Sequence, residues 1–590
     1  MLLDITPPLL CQKRFFRKQT YFLISYSDYF TRVATCDTKR FSFRTLKTFK
    51  EGASMDTPEH EINPYITKDR GELCITDAGY ELLKELVTDT KSDVYAFTAK
   101  APPKMIGAAM ARLSRNQHDL RKTYLNEFAV DESEADNLIR RVVTAFGDDS
   151  VQQLVSISVV VENASNLLTK KLEWGRLLSY LEQSTRYIFF DKKRDGRYRY
   201  YIPDNLPDTL RSVYVMYMDK IFDSYSEMVR GLTEYIRKKS AHLEKNMGKA
   251  AWLAATRAQA CDAIRPVLPA STTSTVGIVG STQGFDNLIM RLHSEHLHEC
   301  VATGQNILAE VKKIVPAFFE RTDMPERGLT VSNYIKNTRA LMRKTADWCL
   351  PRHLDTKIER VVLVDYWPID ELTLVPEMLF AESDLPIDII QEKVSGWSTA
   401  EKESIFRYYI GERLNRRHKP GRALEKAHYE WQITGDYGTF RDLQRHRMVD
   451  QMEWQRLTPY YGYSTPHIVS EAGMEKIFAS CFDQSEILFY MLLDAGLEEE
   501  SQYATLLGHR MRYRFTENAR AAFHIHELRT GPAGHQGYRA IVNEMHEKLS
   551  KVHPLIGEAM RFVNKDDDPE LTRKASEMVT QSKLAKLARK

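Results

Sequence analysis

Two stretches of this chain carry the same charged residues at the same spacing, and this repeat limits what the chain can fold into. Residues 442–458 read DLQRHRMVDQMEWQRLT, and residues 172–187 read LEWGRLLSYLEQSTRY. Arg447 follows Arg176 by 271 positions, and Glu453 follows Glu182 by the same number. A constant offset between charged positions indicates an internal duplication, so the sequence predicts two related halves.

The two copies have changed in opposite places. The earlier copy has Trp174 and Gly175 where the later one has Arg445 and His446, whereas the later copy has replaced Arg186 by a leucine. Guanidinium groups bind phosphate through paired hydrogen bonds and stack on planar rings. A site lined from both copies would therefore suit a phosphorylated heterocycle. The alternative for the tripeptide RHR alone is a solvated helix face.

Composition narrows the class of protein. A chain of 590 residues is too long for one core, so two or more domains are expected. A net charge of +3 gives no general affinity for nucleic acid. The seven cysteines are scattered without CxxC spacing, which favours a reducing, cytoplasmic location over a disulfide framework. No uninterrupted apolar run reaches about 18 residues, so no membrane-spanning helix is expected.

Local patterns predict the organisation along the chain. Residues 1–54 are a basic, aromatic extension expected to be poorly ordered, with a transit peptide or a start at Met55 as alternatives. Domains are predicted over residues 75–345 and 358–565, followed by a charged tail, residues 566–590, that should fray.

Hydrophobic periodicity and turn residues predict the elements around the repeat. Helices are expected over residues 164–187, over 209–239, through the RHR tripeptide, and from Asn518 to Arg529. Strands are expected over residues 151–161, 361–366 and 428–433, and a loop over 271–282. Ser150 is expected to be a helix N-cap. A histidine and cysteine group could hold zinc, but a solvated helix face is favoured and no metal is predicted: His293, His296, His298 and Cys300.

The paired motifs resemble the signature RHR-x(5)-E-x-S-x-R-Y of flavin-dependent thymidylate synthases, divided between the two halves. Further segments resemble the same family: AMARLS ending at Ser114, GDDS ending at Ser150, Arg265 in AIRPVLP, LVDYWP, and T-x-N-x-R-x(3)-H-x(4)-R beginning at Thr516. The resemblance covers roughly residues 90–320 and 358–555. It implies an α+β fold of two tandem domains, mostly helical with a small sheet in each.

The resemblance also implies a function, the reductive methylation of dUMP to dTMP with FAD, methylenetetrahydrofolate and NADPH. Arg529 would be catalytic, favouring an ionised N3 of the uracil. The residues implied for dUMP are Glu182, Gln183, Ser184, Thr185, Arg186, Arg265, Arg445 and Arg529. The residues implied for FAD are Ser114, Ser150, Arg445, His446, Arg447, Glu453, Asn518, Arg520 and His524. A homodimer forming a pseudo-tetramer is expected, without nucleic acid or membrane partners.

Several positions depart from the family pattern. Asp148 stands where a histidine is usual, and Asp442 stands where a glutamine is usual. Tyr503 replaces the arginine before Leu-Pro in the second half, and Gly284 replaces the asparagine of the C-terminal motif in the first. Each half would thus have lost the contributions that face unused sites. The competing hypothesis is an inactive flavin- or nucleotide-binding paralogue, and a helical nucleic-acid-binding protein is a weaker third.

Overall fold

Each half contains one antiparallel sheet of three or four strands, and the first half also has a two-stranded hairpin. In the computed structural model, which describes residues 63–113, 115–145, 147–351, 358–566 and 571–588, the residues from 63 onward form one compact unit. The strands are β1 Ile66–Asp69, β2 Glu72–Ile75, β3 Ser156–Ser165, β4 Leu178–Glu182, β5 Thr273–Ser281, β6 Val361–Trp367, β7 His428–Asp436, β8 Gln451–Trp454 and β9 Arg510–Asn518. They form a hairpin β1-β2 and the sheets β3-β5-β4 and β6-β7-β9-β8.

Helices cover both sheets. Those of the first half are α1 Asp77–Leu86, α2 Pro103–Arg112, α3 Leu120–Glu127, α4 Ser133–Ile139, α5 Asn166–Leu172, α6 Asp208–Lys239, α7 Glu244–Met247, α8 Lys249–Ile264, α9 Thr282–His293, α10 His298–Lys312 and α11 Gly328–Cys349. Those of the second half are α12 Val375–Phe380, α13 Ile387–Ser395, α14 Thr399–Ile410, α15 Tyr437–Leu443, α16 His467–Glu471, α17 Glu475–Asp494, α18 Ala519–Arg529, α19 Gln536–Val552, α20 Pro554–Ala559 and α21 Lys574–Leu587. The α+β fold with a small sheet in each half is confirmed.

The duplication is visible in the order of the elements, because β3-α5-β4 corresponds to β7-α15-β8. The last residue of the strand caps the helix in both copies: Ser165 Oγ accepts from Leu168 N, and Asp436 Oδ1 accepts from Thr439 N. These two caps are again 271 positions apart. The strand and helix β5-α9 likewise correspond to β9-α18, with Ser281 and Asn518 as the capping residues. Ser281, rather than Gly284, therefore stands opposite Asn518.

The two halves pair with each other about a local two-fold relation. Pro269 and Leu506 form an antiparallel bridge, flanked by Leu507 N donating to Leu268 O at 2.8 Å and Ala270 N donating to Thr505 O at 2.7 Å. One continuous hydrophobic cluster contains residues of both halves. The halves are thus packed on a shared core, and the exact domain limits stay a prediction.

Arg176 and Arg447, the repeated arginines, are related by the same two-fold symmetry. Arg176 Nη2 donates to the carbonyl oxygens of Val449 and Asp450 at 2.5 and 2.9 Å. Arg447 Nη1 donates to the carbonyl oxygen of Leu178 at 2.6 Å. Val449 follows Leu178 by the same offset that separates the two arginines. Each copy therefore reaches across to the backbone of the other.

Several local predictions are wrong. The helix expected over residues 164–187 ends at Leu172, and the chain continues as strand β4, because residues 178–182 pair with β5. Glu182, Ser184 and Arg186 are consequently not on one helical turn. The loop expected over residues 271–282 is mostly β5, whose alternating Val and Ile side chains enter the core. The strand expected over residues 151–161 begins at Ser156 instead.

The other local predictions have mixed outcomes. The helix predicted through the RHR tripeptide is wrong, because α15 ends at Leu443 and residues 445–447 lie after it. The helix at residues 209–239 and the strands at 361–366 and 428–433 are confirmed. Ser150 makes no capping hydrogen bond. The tail expected to fray contains helix α21.

The remaining predictions concern the first residues of the chain, Ser114, membrane-spanning helices and metal sites. The extension 1–54 and Ser114 lie outside the described residues. Within the described ranges, no helix is long and apolar enough to cross a membrane. The same ranges contain no group of three or more His, Cys, Asp or Glu side chains placed to hold a metal ion. His293 ends α9, whereas His298 begins α10.

Candidate functional site

Asp442 lies at the centre of a group of arginines that come from both halves. Its Oδ2 is 3.5 Å from Arg265 Nη1 of the first half. Its Oδ1 is paired with Arg445 Nη2 and lies 3.9 Å from Arg529 Nη1, both of the second half. Burial alone would raise the pKa of Asp442, but Arg445, Arg265, Arg186 and Arg529 hold it far below its usual value. Asp442 is therefore an ionised carboxylate shared among guanidinium groups.

Arg265 carries one sign of an incomplete site. It follows α8, in a short 3-10 turn, and its side chain is 3% exposed. Its Nη2 is buried and has no hydrogen-bond partner among the described residues. A Cβ at Gly438 would lie 3.3 Å from Arg265 Nε, so a glycine lets α15 approach the guanidinium. A buried cationic donor without an acceptor is costly, and an anionic ligand would supply the acceptor.

Arg186 joins the same region from the first half. Its Nε and Nη2 make a bidentate pair with the carboxylate of Asp262, both at 2.9 Å, and its Nη1 donates to Tyr538 Oη at 3.2 Å. Arg573, just before α21, also contacts Asp262 Oδ2 at 2.7 Å. Burial would raise the pKa of Asp262, but Arg186, His535 and Arg573 hold it at about 2.

His446 orients Arg529. Arg529 Nε donates to His446 Nε2 at 2.7 Å, and the Arg529 guanidinium lies 5.4 Å from the ring centre of Tyr538. Burial, together with Arg529 and His524, lowers the pKa of His446 well below its usual value. The imidazole is therefore neutral and accepts through Nε2. His524 packs edge-on against His446 at 5.7 Å, and burial and Lys419 lower the pKa of His524 to about 4.

Glu182 is anchored at the boundary between the halves. Its Oε2 is 3.2 Å from Lys170 Nζ, and its Oε1 is paired with Arg441 Nη2. Burial would raise its pKa, but Arg441, Lys170 and Arg445 hold it at about 2. Lys170 and Arg441 are equivalent positions of the two copies, 271 apart. Glu182 therefore joins α5 to α15, and it is directly engaged by protein partners.

The other residues predicted for the nucleotide support the position of Arg186. Ser184 Oγ accepts from Arg186 N at 3.1 Å, which fixes the turn. Gln183 Oε1 accepts from Arg199 Nη1 at 3.2 Å, and Thr185 is buried. The structure therefore brings Arg186, Arg265, Arg445 and Arg529 together, with residues 182–185 beside them.

The residues predicted for FAD are only partly gathered. Arg445, His446 and His524 belong to the arginine group. Arg447 is held by Leu178 O, and Arg520 is held by Pro420 O at 3.0 Å and Glu425 Oε1 at 3.1 Å.

Three other residues predicted for FAD lie apart from the arginine group. Asn518 caps α18 by accepting from Ala521 N at 2.8 Å. Ser150 is exposed, and its hydroxyl donates to Asp148 Oδ1 at 2.6 Å. Glu453 is exposed on β8, opposite Arg514 of β9. The described contacts do not bring these three side chains to the arginine group.

The sequence motifs did not identify the acidic and aromatic residues that contact Arg186. Asp262, Tyr538 and Arg573 carry no motif, and only the fold brings them to Arg186. Lys170 and Arg441 could have been found, because they obey the repeat offset. A cavity of about 710 Å³ opens beside this group, lined by Asp262 and Ala263 of the first half and by His535 and Asp436 of the second.

One family model matches the chain in two separate regions. The family described as thymidylate synthase complementing protein matches residues 97–317 and 363–555. A UPF0159 protein of Chlamydia muridarum is 30% identical over 504 residues, which cover 82% of this chain and 94% of that protein. A UPF0159 protein of Thermoplasma acidophilum is 28% identical over 488 residues, covering 78% and 96%. A UMP/dUMP methylase structure from Streptomyces cacaoi, bound with 5-Br dUMP, is 19% identical, with a TM-score of 0.28, and covers 34% of this chain and 93% of that one.

Proposed function

This chain belongs to the thymidylate synthase complementing protein family, and we propose that it methylates dUMP to dTMP at a site built from both of its halves. The observation that carries the proposal is the sharing of one carboxylate, Asp442, by arginines of both halves, beside the unpaired Nη2 of Arg265.

The charge of the group suits a nucleoside monophosphate. Five guanidinium groups, of Arg186, Arg265, Arg445, Arg529 and Arg573, surround two carboxylates, of Asp262 and Asp442. Among these seven side chains, the positive charges exceed the negative ones by three. A phosphate monoester carries about −1.5 to −2 at pH 7 and accepts bidentate hydrogen bonds from arginine. The free donor of Arg265 would bind one of its oxygens.

The neutral His446 gives Arg529 a defined role. His446 accepts from Nε of Arg529, and Nη1 of the same guanidinium lies 3.9 Å from Asp442 Oδ1. A guanidinium placed at the edge of the uracil favours the form ionised at N3, which makes C5 more nucleophilic. Arg529 is therefore the proposed catalytic residue, and His446 is the residue that positions it.

FAD is proposed as the cofactor, with NADPH as reductant and methylenetetrahydrofolate as the one-carbon donor. The bound flavin would supply transfer of the methylene and of hydride. Arg445, His446 and His524 are available to hold it, whereas Arg447 and Arg520 are engaged by protein groups. The residues thus fit the nucleotide better than the whole flavin, and no step of the reaction is assigned to the flavin residues.

A direct assay tests the proposal. Purified protein with dUMP, methylenetetrahydrofolate, NADPH and FAD should form dTMP. The variants Arg186→Ala and Arg445→Ala, one in each half, should each lose the activity. Arg339→Ala is the matched control, because it removes an arginine of α11 that packs on Trp174. Retention of full activity in either site variant would contradict the composite site.

An inactive nucleotide-binding protein is the second candidate, favoured by Asp442. This carboxylate already compensates the arginines that would hold the phosphate, and the family usually has glutamine there. Protein that binds dUMP or FAD in calorimetry but forms no dTMP would support this candidate. Protein that binds neither would exclude both. A homodimer, measurable by light scattering, is proposed for either case.

A further inference from the structure

A second cavity, of about 510 Å³, lies in the first half and is lined in part by Ile188 and Phe189, which follow Arg186 in the chain. It is a solvent-open cavity lined by residues 188–199, by α6 and by α8. Its charged lining is strongly basic, with six cations against two carboxylates: Lys192, Arg194, Arg199, Arg230, Arg237 and Arg257 against Asp191 and Glu234. Asp191 is already paired with Arg230 at 2.9 Å. Most of the positive charge is therefore uncompensated.

Aromatic rings hold two of these arginines in place. The Arg257 guanidinium lies 4.6 Å from the ring centre of Phe189, and the Arg199 guanidinium lies 4.1 Å from that of Phe190. Among the described residues, no carboxylate pairs with Arg194, Arg199 or Arg257. Burial and the neighbouring Arg194 lower the pKa of Arg199, as expected for like charges held close together without an anion.

The cavity is connected to the segment proposed to hold dUMP. Arg199 Nη1 donates to Gln183 Oε1 at 3.2 Å. Gln183 lies between Glu182, which joins the two halves, and Ser184, which fixes the turn before Arg186. An anion that draws Arg199 into the cavity would act on this hydrogen bond.

We propose that this cavity is an anion site for a ligand with two or more linked phosphates, such as a nucleoside triphosphate, and that its occupancy acts on residues 182–186 through Arg199 and Gln183. Arginine forks bind adjacent phosphates at several points, and the cavity volume lies in the range of small-molecule sites, about 300–1,000 Å³. The binding part is independent of the proposed function, whereas the effect on dUMP rests on it.

Calorimetry with sodium tripolyphosphate tests the binding part. The unmodified protein should bind it with 1:1 stoichiometry, and Arg194→Gln with Arg257→Gln should weaken the affinity at least tenfold. Lys220→Gln removes one charge from an exposed position of α6 and should change nothing. Equal affinity in the double variant, with melting temperatures alike, would overturn the site. Equal binding of sulfate at matched ionic strength would overturn the preference for linked phosphates.

A second measurement tests the coupling and separates the ligand sources. dTTP and tripolyphosphate are compared: tighter binding of dTTP assigns the site to a nucleotide, and equal binding assigns it to the phosphate chain alone. Saturating ligand should shift the dissociation constant of dUMP at least threefold, and Gln183→Leu should abolish that shift while leaving tripolyphosphate binding intact. An unchanged dUMP constant would overturn the coupling. Absence of dTMP formation alone would concern the proposed function and leave both binding results standing.

Discussion

The arginine group around Asp442 has a counterpart across the local two-fold relation, around Trp174. The two places differ, because one is lined by arginines and the other is filled by packed aromatic rings. At the counterpart, Trp174 stands in the place of Arg445 and packs edge-on against Trp454 at 5.4 Å. Arg291 lies 5.5 Å from the ring centre of Trp174, and Lys171 lies 5.2 Å from that of Trp454. The first place gathers guanidinium groups around the carboxylate of Asp442, whereas the second holds its cations over aromatic rings.

Two cations of the counterpart share one carboxylate. Glu295 binds both Lys171 and Arg339 at 3.0 Å. A Cβ on Gly175, the position opposite His446, would lie 2.7 Å from Tyr180 Oη, so a histidine no longer fits there. A duplicated site that has no ligand to bind can become core packing, while its copy must keep groups that only a ligand satisfies.

The largest expected effect separates Arg265 from its counterpart Tyr503. Arg265→Met should weaken dUMP binding by about 1000-fold, roughly 4 kcal/mol, because it removes the free donor. Tyr503→Phe should leave dUMP binding unchanged and lower the free energy of unfolding by about 1–2 kcal/mol, since the hydroxyl donates to Glu299 at 2.7 Å. Calorimetry and urea unfolding of both variants give the comparison. Loss of dUMP binding in Tyr503→Phe would make the counterpart functional.

The next effect concerns pH and Glu299. Burial raises the pKa of this carboxyl to about 7, although Ser165 and Tyr503 donate to it. Because the pKa is higher in the folded protein than in the unfolded chain, the contribution of Glu299 to stability is fully present at pH values below its unfolded-chain pKa. This contribution is lost as the pH rises through about 7. Between pH 5 and pH 8 the loss should be about 3 kcal/mol at most.

The variant Glu299→Gln cannot ionise at this position, so it measures the pH-dependent contribution of Glu299 to stability. Its melting temperature should vary less between pH 5 and pH 8 than that of the unmodified protein. Identical pH profiles for the two proteins would show that Glu299 does not titrate in this range.

A smaller effect is expected for Asp442→Gln, which restores the residue usual in the family. Removing the carboxylate should tighten dUMP binding about tenfold, since a phosphate would no longer be repelled. Lys171→Gln, at the equivalent position of the other copy, is the control and should leave the dUMP constant unchanged. Weaker dUMP binding by Asp442→Gln would mean that Asp442 contacts the ligand favourably.

The smallest effect compares Arg176 with Arg447, the pair on the two-fold relation. Substituting either arginine by methionine should lower the free energy of unfolding by about 0.5–1 kcal/mol, because each arginine donates to the backbone of the other half. Neither variant should weaken FAD binding, measured by flavin absorbance after gel filtration, because both guanidinium groups are engaged by backbone carbonyls. Loss of FAD from Arg447→Met alone would show that Arg447 also contacts the cofactor.

The sequence allowed prediction of elements set by local periodicity and of positions set by the repeat. The helix at residues 208–239 and the strand β7 follow from their spacing of apolar residues, and the offset of 271 located the arginines that cross between the halves. Strand β4 was missed because the short segment is helix-compatible by itself and becomes extended only by pairing with β5.

The site was predictable in its arginines and not in its acids. Arg186, Arg265, Arg445 and Arg529 stand in recognisable motifs, whereas Asp262 and Tyr538 meet Arg186 only through packing of α8 and α19. Long-range partners of this kind leave no periodic signal. Arg573 is the strongest example, because it reaches Asp262 from the chain end expected to fray.

The bridge between Pro269 and Leu506 has a consequence for how the protein behaves on dilution. Because the two walls of the pocket belong to one polypeptide and are tied backbone to backbone, their meeting is an intramolecular event. Ligand affinity at the Asp442 group should therefore be the same at nanomolar as at micromolar enzyme. For the same reason, two chains damaged in different halves could not restore each other by exchange of subunits.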